Sequence, residues 1–253
     1  MNTELLEELK KSISGDVVTD EQTLMTHSHD ASLFEVKPQV VVYPKTEDDV
    51  EKLVSFVAKH KEKYPELSLT GRSAGTDMSG GALNTSIIVS FSKYFNHTPV
   101  VKKDIATTQP GVFYRDFEKE TLKQNLLFPS YPASREICAM GGIVNNNSGG
   151  EKSLHYGKTE KYVKRVKVVL RDGKAHELKA LTEKELKDKM KQKDLEGEIY
   201  TKMHTLLNAH YDEIRKAKPP VSKNSAGYFL WNIWDREKGT FDLSKLWVGA
   251  QGT

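Results

Sequence analysis

The sequence predicts a mixed α+β fold entered through a leading helix, and three observations carry that expectation. Short apolar runs alternate with helix-spaced apolar positions from residue 36 onward. A glycine-rich loop leaves one strand and returns directly into another, an arrangement in which helices cover a sheet. The 253 residues are also enough for one large domain or two small ones whose core needs no covalent staples.

Residues 1–14 set Leu5, Leu6, Leu9 and Ile13 at helical spacing among charges, without the unbroken apolar centre of a signal peptide. Residues 1–35 are therefore read as a helical segment lying outside a domain of residues 36–253. Residues 36–43 read as a buried strand, after which Pro44 and Thr46 punctuate and cap a helix over 47–61 that carries Val50, Leu53, Val54 and Val57 on one face. Strands are expected over 67–70 and 87–90, then over 100–108, with a helix over 114–124. Residues 127–150 show no clear period, and an irregular stretch of that length is usually functional. A strand over 162–170 turns through Arg171-Asp172-Gly173-Lys174 into residues 175–178. Helices over 183–193 and 199–215 end before Pro219-Pro220.

Chemistry concentrates in the loops. Residues 71–81 hold four glycines with Ser73, Thr76 and Ser79, a composition that lets backbone N–H groups approach an anion such as a pyrophosphate; a plain turn is the competing reading. No G-x-G-x-x-G opens a helix here and no P-loop lysine follows, so neither the dinucleotide fingerprint nor an ATP loop is present. Residues 141–150 repeat the design with Asn145, Asn146 and Asn147, whose amides suit a heterocycle edge. Two separated cradles suit a flavin, which needs one for its pyrophosphate and one for its ring.

Read in order, the motifs are Gly71, Arg72, Ser73, Ala74, Gly75, Thr76, Ser79 and Gly80; Pro132-Ala133-Ser134; Cys138, Gly141, Gly142, Asn145, Ser148 and Gly149; Tyr156-Gly157; Lys223-Asn224-Ser225-Ala226-Gly227-Tyr228; and Gly249-Ala250-Gln251-Gly252-Thr253. This order resembles that of FAD-linked oxidases of the vanillyl-alcohol oxidase and p-cresol methylhydroxylase type, above all the glycolate oxidase and D-lactate dehydrogenase branch, from about residue 37 to Thr253. The resemblance implies an FAD-binding domain of two subdomains, the smaller over about 37–105, with FAD in the cleft between them. It implies cofactor contacts from the first loop, from Pro132, Ser134, Gly141, Gly142, Asn145, Ser148 and Gly149, and from Tyr156. Members with covalent flavin use a histidine in or near the first loop, and none lies between Gly71 and Gly81, so noncovalent FAD is expected. Three positions depart from the pattern: Gln251 replaces the usual glutamate, Ala139 a common threonine, and Tyr131 a small or acidic residue.

The implied reaction is oxidation of a 2-hydroxy acid such as D-lactate or glycolate by hydride transfer to the flavin. The alternatives are an FAD-binding subunit or truncated module without turnover of its own, and a related flavin reductase. In this branch the substrate ligands and catalytic base come from a later domain, which is expected to be missing here, so no catalytic residue is named. A partner subunit or separate electron acceptor fits that picture.

The balance of 38 Lys+Arg against 35 Asp+Glu is too slight for a nucleic-acid surface. One cysteine, Cys138, excludes an internal disulfide and a multi-cysteine zinc site, and reads as a small buried residue or a redox thiol. His27 and His29 lack an acidic or cysteine cluster at ligand spacing and read as surface histidines, so no metal is expected. Trp231, Trp234 and Tyr228 read as core aromatics or as a ring-lining face. No apolar window is long enough to span a bilayer, and the single cysteine fits a reducing compartment, so the cytoplasm is the expected location, with membrane attachment through a partner as the alternative.

Overall fold

The computed structural model describes residues 1–221, 224 and 227–252. Lys223, Ser225 and Ala226 of the fifth motif and Thr253 of the last lie outside the described residues.

The first layer begins at the N-terminus. Asn2 caps α1 (Thr3–Ser12) by accepting the Leu5 N–H at 2.8 Å. β1 (Asp16–Val18) and α2 (Glu21–His27) follow, then β2 (Val40–Tyr43), α3 (Glu47–His60), β3 (Leu69–Arg72) and β4 (Ile87–Ser90). β1 pairs antiparallel with β2, while β2 and β3 flank β4 in parallel, giving the order β1-β2-β4-β3. Both faces of this sheet are covered, so its central strands run apolar over Val40–Val42 and Ile87–Val89 rather than alternating. Val40, Val42, Ile87 and Val89 face α1 and α3, whereas Val41 and Ile88 face Leu24 of α2.

Residues 1–35, expected as a helical segment outside the domain, pack on its first sheet. Leu5 and Leu9 are buried in the same core as Leu53 and Phe56, and β1 is an edge strand of the sheet. Asp49 ties the segment down from α3, accepting the N–H groups of Ser14 at 2.7 Å and Lys45 at 2.8 Å while completing a capping box with Thr46.

The strand expected over 100–108 is instead a hairpin of β5 (Val100–Lys102) and β6 (Ile105–Thr107), because Lys103 turns with φ +54°. α4 (Tyr114–Leu122) packs with Val112, Tyr131, Cys138, Met140 and Ile143 around Tyr114 and Phe117. Cys138 is accordingly a buried residue of this core, and burial pushes its thiol pKa up. Within the stretch expected to be irregular lies α5 (Met140–Asn145), followed by α6 (Ser153–Tyr156).

The last layer is antiparallel. β7 (Arg165–Val169) and β8 (Ala175–Thr182) lead to α7 (Glu183–Met190), α8 (Leu195–Ala209) and α9 (Tyr211–Lys216), then β9 (Trp234–Asp235), β10 (Thr240–Asp242) and α10 (Ser244–Trp247). The sheet order is β7-β8-β10-β9. The helix expected over 199–215 starts earlier, where the Asp194 side chain accepts the Gly197 N–H at 2.9 Å, and breaks at His210, whose ψ of 24° leaves the helical range. Trp234 packs against the core around Tyr200, Leu207 and Phe241, while Tyr228 is exposed.

The first and last layers meet at the β7–β8 turn. Gly173 sits at φ +70° so close to α3 that a Cβ there would fall 1.9 Å from Ser55 Oγ. Ala175 N–H donates to Glu51 Oε1 at 2.6 Å and Lys167 pairs with Glu47 at 2.9 Å. Among the described residues, no helix is long and apolar enough to cross a membrane.

Candidate functional site

Parallel pairing of β3 with β4 brings the chain out at Arg72 and forces it to return to Ile87, so residues 73–86 must cross the sheet end as a loop. This loop divides into two halves with different hydrogen-bonding states. In the first half, the backbone N–H groups of Ser73, Ala74, Gly75 and Thr76 donate to no acceptor among the described residues. Gly75 takes φ +67°, a left-handed turn that a side chain would strain. Successive unpaired N–H groups around such a turn form a concavity suited to an anion.

The second half is organised by Asp77. Its carboxylate accepts the N–H of Ser79 at 3.0 Å and of Gly81 at 2.6 Å, the Ser79 hydroxyl, and the Gln251 side-chain amide. Burial works against the charge, but these donors outweigh it and hold the Asp77 carboxyl below its ordinary pKa. Ser79 is thus engaged within its own loop. Gly80, at φ +83°, abuts the Phe34 ring.

The Arg72 side chain lies against the first half of the loop. Its guanidinium packs under Gly75, and Nη2 donates to the His29 carbonyl at 2.6 Å. Nη1 is buried with no partner among the described residues, and burial pulls the Arg72 pKa down against the attraction of Asp30. His27 is buried as well, with Nδ1 2.9 Å from the Thr23 carbonyl, which corrects the expectation of a surface histidine; His29 remains exposed.

The second glycine-rich segment abuts the first. A Cβ on Gly141 would fall 2.5 Å from Ser73 Oγ and 2.6 Å from Pro110 Cβ, and Gly141 N–H donates to the Pro110 carbonyl at 3.0 Å. Its neighbour Gly142 faces open space, with nothing within 4 Å of a Cβ built there. Asn145 and Asn146 are exposed beside it, but Asn147 is not available to a ligand: at φ +48° it turns inward, where its amide donates to Glu160 at 2.7 Å. Gly150 presses on the Tyr131 carbonyl and Pro132, and Gly149 on the Ser153 side chain. Ser134 closes its turn by accepting the N–H groups of Ile137 and Cys138 at 2.9 Å each. Ser148 is buried and its carbonyl holds Thr159, while Tyr156 is half-exposed.

The final motif closes the triangle. Gly249 N–H donates to the Val144 carbonyl at 3.1 Å and Gln251 N–H to the Asn145 carbonyl at 3.0 Å, while the Gln251 side chain reaches across to Asp77. Three motifs far apart in sequence therefore share one edge of the molecule. Sequence reading did not single out Asp77, Pro110 or the Gln251 bridge; an aspartate inside a glycine-serine loop was the available signal for the first. A separate surface groove of about 750 Å³, lined by Arg171, Asp172, Lys193 and Lys202 among others, lies on the β7–β8 turn and α8 rather than on these loops.

Comparison with known proteins bears on this edge. A family model described as an FAD binding domain matches residues 38–179. The D-2-hydroxyglutarate dehydrogenase of Escherichia coli (strain K12) is 27% identical over 251 residues, covering 98% of this chain and 24% of that protein. The glycolate oxidase subunit GlcD of Bacillus subtilis (strain 168) is 30% identical over 153 residues, covering 59% of this chain and 32% of that one. The chain thus spans about a quarter of the length of the dehydrogenases it matches. Among solved structures, an alkyldihydroxyacetonephosphate synthase superposes with a TM-score of 0.61 at 22% identity, over 70% of this chain and 34% of that one. A 6-hydroxy-D-nicotine oxidase from Arthrobacter nicotinovorans does so with a TM-score of 0.58 at 20% identity, over 71% and 37%; these likenesses establish the shared fold.

Proposed function

We propose, because the chain belongs to the FAD-binding domain family, that it forms the flavin-holding part of an oxidoreductase acting on a 2-hydroxy acid. The observation that carries this reading is the junction of the two glycine-rich segments: N–H groups over residues 73–76 that find no acceptor among the described residues, beside the open space at Gly142. That pairing fits a ligand with an anionic middle and a flat ring better than it fits a simple nucleotide.

In this reading the N–H groups of residues 73–76 hold the pyrophosphate, with Gly71 and Gly80 allowing close approach and Arg72 and Ser79 bracing the loop. Gly141 and Gly142 admit the ring system, whose edge meets Asn145. Pro132, Ser134, Ser148, Gly149 and Tyr156 shape the second cradle. The FAD-binding unit is the 36–253 segment, with residues 1–35 packed on it as part of its first layer. Attachment is noncovalent, since residues 71–81 contain no histidine. Bound flavin supplies a two-electron acceptor for the hydride of a hydroxy-acid carbon. The chain's own residues bind and orient; the base and the carboxylate ligands for the substrate are not assigned to any of them.

Relatives named D-2-hydroxyglutarate dehydrogenase and glycolate oxidase subunit make D-2-hydroxyglutarate and glycolate the first substrates to try. The word "subunit" in the second name suggests a partner chain or separate electron acceptor, and membrane association through that partner is part of the proposal. The test is the visible spectrum of the purified chain, followed by acid denaturation. A yellow protein that releases FAD into the supernatant is expected. A colourless protein that takes up no added FAD overturns the reading. Turnover with the two acids and an artificial acceptor is then measured separately, since bound FAD without turnover would make the chain a binding module.

A further inference from the structure

Gln251 and Asp77 form a direct contact between two motifs 174 positions apart, and its chemistry constrains both residues. Gln251 has three connections. Its backbone N–H donates to the Asn145 carbonyl at 3.0 Å, its Oε1 accepts from Asn146 Nδ2 at 3.5 Å, and its Nε2 donates to Asp77 Oδ1. Its side chain also fills the space beside Gly81, where a Cβ would fall 2.8 Å from Gln251 Cγ. Asp77 in turn fixes Ser79 and Gly81. Removing the amide would leave the Asp77 carboxylate facing whatever replaced it across a hydrogen-bonding distance.

We infer that Gln251 is a positioning residue, a neutral clasp that locks the first glycine-rich loop to the second, and that Asp77 requires an amide rather than a carboxylate at this position. Of an amide and an ionised carboxylate at this position, the amide presents a donor to Asp77 and an acceptor to Asn146 at once, whereas the carboxylate offers acceptors alone. The clasp acts through the loop: by pinning residues 77–81 it sets the position of residues 73–76 and so of the proposed pyrophosphate site. In that respect the inference rests on the proposed FAD site.

The experiment compares wild type, Gln251→Glu, and the swap Gln251→Glu with Asp77→Asn, with circular dichroism to confirm folding. FAD dissociation constants and apo-protein unfolding midpoints are measured from pH 5 to pH 8. Losing a charge-assisted hydrogen bond and adding a like charge should weaken FAD binding by Gln251→Glu at pH 8 by about tenfold or more. The deficit should shrink toward pH 5, as one carboxyl of the coupled pair takes up a proton. The swap restores one amide and one carboxylate and should return affinity to within about threefold of wild type, with no pH trend of its own; these values follow from exchanging the partners of one bond. Gln251→Glu failing to fold while the swap folds also supports the clasp. Unchanged affinity and midpoint in Gln251→Glu across the range, or a swap as impaired as the single variant, overturns it. If wild type binds no FAD, the proposed function falls, and the apo midpoints against pH still decide the clasp.

Discussion

Gly141 and Gly142 are adjacent in sequence and opposite in environment, so replacing each by alanine separates close packing from ligand space. A methyl on Gly141 would meet Ser73 Oγ at 2.5 Å, Pro110 Cβ at 2.6 Å and the Pro110 backbone at 3.0 Å. The serine side chain can rotate, but Pro110 is held by its ring and by the hydrogen bond from Gly141 itself. Overpacking of this kind costs about 1–3 kcal/mol, offset by up to about 1 kcal/mol gained when alanine replaces glycine in a helix. Gly141→Ala should therefore lose about 1–2 kcal/mol in urea unfolding of the apo-protein. Gly142→Ala meets nothing within 4 Å and keeps only the helix gain, so it should unfold at the same or slightly higher urea concentration. FAD titration followed by flavin fluorescence should show the reverse emphasis: Gly142→Val, which fills the open space, weakens binding more than its effect on stability accounts for. A Gly141→Ala protein as stable as wild type would refute the close approach of the two segments. Full FAD affinity in Gly142→Val would refute the assignment of that space to the cofactor.

Three further outcomes are expected. Leu9→Ala should cost about 2–5 kcal/mol and shift the main unfolding transition, because Leu9 is buried in the first-layer core; an unchanged transition by circular dichroism would make residues 1–35 an appendage. Burial of Asp49 opposes its charge, yet hydrogen bonds from Ser14, Lys45 and Thr46 hold its folded pKa below the ordinary value of about 3.9. A carboxyl depressed on folding adds stability that is present above its unfolded pKa and is lost as the pH falls through the folded one, so Asp49→Ala should flatten the acid limb below about pH 4 and remove about 1–3 kcal/mol at neutral pH; an unaltered acid limb in urea titrations would exclude Asp49 as a contributor. Gly173→Val should push the β7–β8 turn off Ser55 and expose residues 171–174 to limited proteolysis, whereas wild-type cleavage kinetics would show that the turn tolerates displacement.

What was legible in the sequence was local. The apolar run Val40–Tyr43, the capped helix after Thr46 and the strand at Ile87–Ser90 announce themselves through period and punctuation, and the glycine-rich loops through composition. The missed features depend on contacts that no window of sequence contains. Asp16–Val18 is only three residues and becomes a strand because β2 offers an edge. Residues 100–108 read as one strand because the turn at Lys103 uses neither glycine nor proline. α5 escapes notice because two of its six residues are glycine, the poorest helix former after proline, and its helicity follows from Gly141 docking on Pro110. His27 looked like a surface residue because burial against Tyr43 is a property of the α2–β2 packing, not of its neighbours in sequence.

The candidate site shows the same division with a chemical consequence. A motif reading treats residues 71–81 as one anion cradle, yet an aspartate in such a cradle would repel the very group it is meant to hold. The structure removes the conflict by geometry: Asp77 spends its charge on Ser79, Gly81 and Gln251. The donors that it consumes are those of the second half, and the N–H groups of residues 73–76 stay unpaired among the described residues. In the proposed site one half of the loop is the brace and the other the cradle, and the brace holds because a neutral amide, supplied from the far end of the chain, lets a carboxylate sit there without another beside it. Composition alone leaves a loop of this kind open to two readings, an anion cradle or a plain turn. Which of its amides are taken up internally is decided by Asp77, and Asp77 is itself met by a residue 174 positions away.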